Sequence, residues 1–169
     1  MSKEKRQPLR QIILSDDEQL VKGLHRPYWM DSIKRGSASI FEKNDTSVTR
    51  SKRVGFPESV KLVKSDVERS KKFELIAVGT IGVAELKKIG STLADQKDPP
   101  PAVHYRVFEE PTDYNEEHAE VVPYADAGCS VLMGRVTTGL SRRIRDRLHN
   151  YLLDSSGAII EENPPANSQ

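Results

Sequence analysis

The stretch Val103-His-Tyr-Arg-Val-Phe-Glu-Glu-Pro-Thr-Asp-Tyr-Asn-Glu-Glu-His-Ala-Glu-Val-Val122 decides how this chain folds. Apolar residues alternate along 103–108 and again along 118–122, the period of a half-buried strand. Between the runs, the nine residues from Glu109 to Glu117 hold five carboxylates, a proline and an asparagine, a loop composition. The two runs predict a hairpin that projects His104, Arg106, His118 and Glu120 beside an anionic loop. Combined with helical periodicities elsewhere, the hairpin predicts an α+β domain, three or four helices packed on a mostly antiparallel sheet.

Upstream of the hairpin, residues 95–102 carry three prolines and read as a stiff linker. Phe73 to Gly79 is the most apolar run and predicts a buried central strand. Thr80 is placed to cap a helix over Val83 to Ile89, which Gly90 ends. Pro57 marks the start of an amphipathic helix, Glu58 to Lys72, with Val60, Val63 and Val67 on one face. Gly36 to Phe41 alternates like a strand, with Thr46 to Thr49 returning beside it. Ser15-Asp-Asp-Glu18 fits a capping box and predicts a short helix to about Leu24. The cluster His25-Arg-Pro-Tyr-Trp-Met30 reads as aromatics closing one edge of a core, with base stacking as the competing reading.

Downstream, Leu140, Ile144, Leu148, Tyr151 and Leu152 form a stripe that predicts a helix from Thr138 to Leu153. Its other faces hold Arg142, Arg143, Arg145 and Arg147. A basic arm over residues 1–10 and a polar tail over 155–169 are expected to be disordered, leaving one domain over 11–154.

Composition bounds the partners. Of 169 residues, 36% are apolar and 30% charged, with 26 Lys plus Arg against 25 Asp plus Glu. Bulk charge therefore selects neither nucleic acid nor an acidic partner. The single cysteine, Cys129, excludes an intramolecular disulfide and a multi-cysteine metal site. No run approaches the roughly 20 apolar residues of a membrane span, and the expectation is a cytoplasmic protein without a membrane partner.

Chemistry-bearing motifs are sparse. His118-Ala-Glu120 has the H-x-E form of zinc deaminases but lacks the paired cysteines that complete such a site. The loop 109–117 lacks the register of a calcium loop and contains Pro111. Walker, Rossmann and G-x-S-x-G signatures are absent from the sequence. What remains is charge: Glu109, Glu110 and Asp113 in the loop, and Arg142, Arg143, Arg145 and Arg147 on the helix, are the candidate binding residues. An arginine-bearing helix also suits a phosphate backbone, with Arg50 to Arg53 as a second contact.

The run His104-Tyr-Arg-Val-Phe-Glu-Glu-Pro, with Asn115 and His118-Ala-Glu-Val121, resembles a segment recurring in small uncharacterised prokaryotic α+β proteins. Gly36-Ser-Ala-Ser-Ile-Phe41 and Ser47-Val48 are similar to elements upstream in the same proteins. The likeness spans residues 20–122 and departs at Thr112, where a small apolar residue or proline is usual. It implies a shared fold and carries no catalytic residue over. A second likeness, in the order Lys22-Gly (with His25 or Arg26 serving equally at that place), Ser37-x-Ser39 and His118-x-Glu120, is to NAD-dependent ADP-ribosyl transfer domains. It implies that the basic residue and the serines hold NAD, while the glutamate stabilises charge on the ribose.

The leading expectation is a non-catalytic protein-interaction module, without cofactor or metal, from a prokaryotic or phage system. Its partner is a protein or a second copy of the chain. The alternatives are a nucleic-acid binder and an ADP-ribosyl transferase-like enzyme using Ser37, Ser39, His118 and Glu120.

Overall fold

The computed structural model describes residues 12–92 and 102–166. Its strands are β1 Gln19–His25, β2 Trp29–Met30, β3 Arg35–Gly36, β4 Thr46–Arg50, β5 Leu75–Gly82, β6 His104–Glu109, β7 His118–Tyr124, β8 His149–Leu153 and β9 Ile159–Asn163. The helices are α1 Phe56–Glu68, α2 Val83–Ser91 and α3 Thr138–Arg147. Seven strands form one antiparallel sheet in the order β6-β7-β4-β1-β5-β8-β9, and β2 pairs with β3 beside it. The protein is α+β. Among the described residues no helix is long and apolar enough to cross a membrane.

Both faces of the sheet are covered, and the side-chain alternation of the central strands shows how. From β1, Val21 turns to α1 and packs with Val60, Val63, Leu75, Val78 and Leu153. Its neighbours Leu20 and Leu24 turn the other way, into the larger core with Phe41, Val48, Ala77, Leu86 and Ile144. Strand β5 supplies both cores because β1 and β8 flank it on either side. Helix α2 closes on the hairpin at Gly90, where a Cβ would meet the Val103 carbonyl oxygen at 2.5 Å. Only a residue without a side chain fits there.

The predicted hairpin forms. Strands β6 and β7 pair antiparallel from His104↔Tyr124 to Glu109↔Ala119. The central strand also forms, shifted to Leu75–Gly82, with Phe73 outside it and 45% exposed.

Five expectations are corrected. Ser15 to Leu24 is not a helix: Gln19–His25 is strand β1, because β4 and β5 pair with it and both its faces are buried. Gly36 to Phe41 is not a strand beyond Gly36; the chain turns there, and Ser141 Oγ accepts a hydrogen bond from the Phe41 amide. Strand β4 consequently pairs with β1 and β7. Helix α1 begins at Phe56 and ends at Glu68, before Lys71 and Lys72. Thr80 lies within β5, and α2 has Gly82 at its N-cap without a side-chain cap. The last long helix stops at Arg147, since Leu148 takes an extended conformation (φ −70°, ψ 135°) and His149–Leu153 becomes β8.

The expected disordered tail is corrected as well, because Ile159–Asn163 is β9 and pairs with β8 across a turn at Gly157 (φ 88°). The basic arm over 1–10 and most of the linker over 95–102 lie outside the described residues.

Candidate functional site

The acidic loop is held from below by Arg50 and Arg53. Strand β4 ends at Arg50, between β1 and β7, and its guanidinium reaches Glu18 at 3.2 Å, Glu109 at 3.4 Å and Glu117 at 3.6 Å. The side chains of Arg50, Glu18 and Glu117 are only 15%, 4% and 3% exposed. Arg53 adds a two-pronged contact to Glu117 Oε1, at 3.0 Å from Nε and 2.5 Å from an amino nitrogen. Asn115, also buried, donates to Thr49 Oγ1 at 2.8 Å and accepts from the Glu117 amide at 3.0 Å. Glu109 and Glu117 are thus internal counter-charges, whereas Asp113 and Glu116 stay exposed and Glu110 half-buried.

The arginine helix divides in the same way. Arg145 is buried, donating to the Gly36 carbonyl at 3.1 Å and to Asp146 at 2.6 Å. Arg147 bonds Glu85 at 2.9 Å. Arg142 and Arg143 remain exposed. The acidic loop does not dock on this helix; Arg50 and Arg53 take its inner carboxylates.

Register places His118 and Glu120. In β4–β7 pairing, Ser47 lies opposite Glu120 and Thr49 opposite His118, so all four side chains share the α1 face. The Ser47 hydroxyl donates to Glu120 Oε1 at 3.1 Å, and His118 Nε2 stands 3.4 Å from the same oxygen. His118 Nδ1 lies 2.8 Å from the Glu110 carbonyl oxygen. A carbonyl only accepts, so Nδ1 carries a proton and Nε2 faces the carboxylate. Burial raises the Glu120 pKa, while His118 and the Ser47 bond lower it and Glu110 and Asp45 add to the rise. The pair is a buried imidazole–carboxyl contact whose carboxyl is pushed up by burial.

It does not meet the serines in one concavity. Ser37 and Ser39 lie in the turn after β3 with their hydroxyls 2.9 Å apart. Ser39 lines a cleft of about 420 Å³ with Lys22, His25, Tyr28, Lys43 and Ser47, and Ser37 does not. His118 lines a separate groove of about 250 Å³ against Val63 and Val67 of α1. Lys22, Gly23, His25 and Ser47 border both openings. The order Lys22, serine, Glu120 seen in the sequence therefore collapses onto Ser47, not Ser37. Among the described residues no three His, Cys, Asp or Glu side chains are placed to hold a metal ion.

Arg50, Lys43 and Ser47 are the residues whose importance the sequence hides. In the sequence Arg50 belongs only to the basic run ending at Arg53 and Ser47 only to the Ser47-Val48 likeness; with Lys43, each gains the role seen here only when β4 enters the sheet between β1 and β7. Of the aromatic cluster, Trp29 belongs to the core: it is buried, and its indole nitrogen donates to Asp31 at 3.0 Å. Compared with known proteins, the chain matches no family model, no curated protein and no solved structure.

Proposed function

We propose that this chain is a non-catalytic protein-interaction module of a cytoplasmic prokaryotic or phage system, and that the outer edge of β9 is its docking element. The carrying observation is the exposure of that strand. Strand β9 is last in the sheet, and among the described residues no strand pairs with its outer side. Ile159 and Ile160 are 45% and 60% exposed there. An unprotected edge with apolar side chains is a template for strand addition.

The strand is held ready rather than loose. Asn163 donates to the Lys34 carbonyl at 2.8 Å, Lys34 reaches Glu161 at 3.7 Å, and His149 lies 3.2 Å from Glu162. Its acids also select the occupant. Antiparallel self-pairing centred on Glu161 sets Glu161 against its own copy, and like charges directly opposite destabilise a sheet. The fitting partner is an extended segment of another protein that puts Lys or Arg opposite Glu161 and Glu162, and branched apolar residues opposite the isoleucines. Arg142 and Arg143 supply a second exposed contact. They are the two of the helix's four arginines that stay exposed, a smaller phosphate-binding face than the nucleic-acid reading started from, which favours a protein partner.

Titrating isotope-labelled protein with a Thr-Lys-Lys-Val-Val-Thr peptide, and with a counterpart carrying Glu-Glu in place of Lys-Lys, tests this. The lysine peptide is expected to shift and protect the amides of 159–163, and the glutamate peptide is not. Shifts confined to the surface around Arg142 and Arg143, or none at 159–163, overturn the edge-docking reading.

A further inference from the structure

Strands β1 and β4 pair only through Leu20↔Arg50 and Val21↔Thr49. Continuing that register brings Gly23 opposite Ser47, but there the ladder stops, and the Ser47 carbonyl accepts from Lys22 Nζ at 3.2 Å instead. A cleft of about 420 Å³ opens at this break, lined by Lys22, His25, Tyr28, Ser39, Lys43 and Phe73 among others. That volume is within the range of small-molecule sites. We propose that the cleft binds a phosphate monoester carried on a flat ring, the chemistry of a nucleoside monophosphate.

Two features select that class. Two ammonium groups, from Lys22 and Lys43, face one cleft, and a phosphate monoester brings a compensating charge of about −1.5 to −2 at neutral pH. The ring has a platform: Phe73, 45% exposed, lies with its centroid 4.5 Å from that of His25, which is 5.1 Å from Tyr28. Aromatic rings of this kind stack on nucleobases. Asp45 also lines the cleft and opposes an anion, so its charge weakens binding without deciding the class.

The charge on Lys22 is adjustable. Burial lowers its pKa to about 8, with Glu120 opposing the shift and Lys43 adding to it. The groups around it are His25 on its own strand, Lys43 and Asp45 before β4, Ser47 on β4, and His118 and Glu120 on β7. His25 is held neutral, first by burial and then by Lys22 itself.

Calorimetry on the full chain at pH 7 with adenosine monophosphate, inorganic phosphate and adenosine tests the site. The monophosphate is expected to bind, phosphate to compete with it, and adenosine to bind at least about tenfold more weakly. Lys22→Met and Lys43→Ala each weaken the monophosphate by about tenfold or more, and Asp45→Asn tightens it. Raising the pH from 7 to 9 weakens binding in the parent and in Lys43→Ala, but not in Lys22→Met, which lacks the titrating amine. Thermal melts verify that each variant is folded, and the exposed Lys43 keeps the test intact if Lys22→Met is not. Absence of heat with both monophosphate and phosphate overturns the proposal. So does adenosine binding as tightly as its monophosphate, or folded lysine variants binding like the parent.

Discussion

Replacing Arg50 by methionine removes the cation shared by Glu18, Glu109 and Glu117 while keeping most of the side chain's length. Two of the three carboxylates, on Glu18 and Glu117, have side chains only 4% and 3% exposed. Breaking a buried ion pair from one side costs about 3–5 kcal/mol, because the remaining charge keeps its desolvation penalty without its attraction. Arg53 still holds Glu117, which argues for the lower half of that range. For a chain of this size each kcal/mol lowers Tm by about 2–4 °C, so the variant is expected to melt about 6–16 °C below the parent. Urea unfolding followed by circular dichroism measures the free energy directly. Adding Glu18→Gln to Arg50→Met should recover part of the loss, since one orphaned charge is then gone. A loss below about 1 kcal/mol, the scale of exposed pairs, refutes the claim that Arg50 organises the loop.

Other perturbations test neighbouring links. Gly90→Ala forces its Cβ onto the Val103 carbonyl and the Tyr105 ring and is expected to cost about 1–3 kcal/mol, read as a lower urea midpoint. Ile144→Ala empties a fully buried position and should cost about 2–5 kcal/mol in the same assay. Glu120→Gln should raise Tm at neutral pH. The folded state raises this carboxyl's pKa, so its ionised form opposes folding above that pKa. The advantage should shrink as the pH falls and both proteins become neutral at position 120. A constant difference from pH 4 to 8 would contradict the assigned burial.

What the sequence reveals depends on whether local pattern and tertiary role agree. In the 103–122 hairpin they do: period-two alternation, then Pro111 and Asn115, then alternation again. At Ser15 to Glu18 they conflict. Glu18 reads as the far half of a capping box, but its carboxylate accepts from the Lys52 amide at 3.0 Å and pairs with Arg50. Leu148, Tyr151 and Leu152 continue the spacing of α3 closely enough to hide the break at Leu148, which β5 creates by pairing with β8. Strand β9 has no buried residue to give a pattern. The cleft was half legible, through Lys22 and Ser39. Lys43 and Ser47 became visible only because β1 and β4 part, a long-range event without a local sequence sign. The arginines of α3 were legible as charge, but not as Arg145 turned inward and Arg147 paired with Glu85.

The outer edge of β9 carries the proposed docking. A photo-crosslinking amino acid at position 160, compared with one at position 143, reports what lies there in the native host extract. Mass spectrometry of the crosslinked peptide should find, from position 160, a partner segment in which two Lys or Arg residues adjoin two branched apolar residues. Crosslinks formed only from position 143, or from position 160 to a second copy of this chain, would contradict the account.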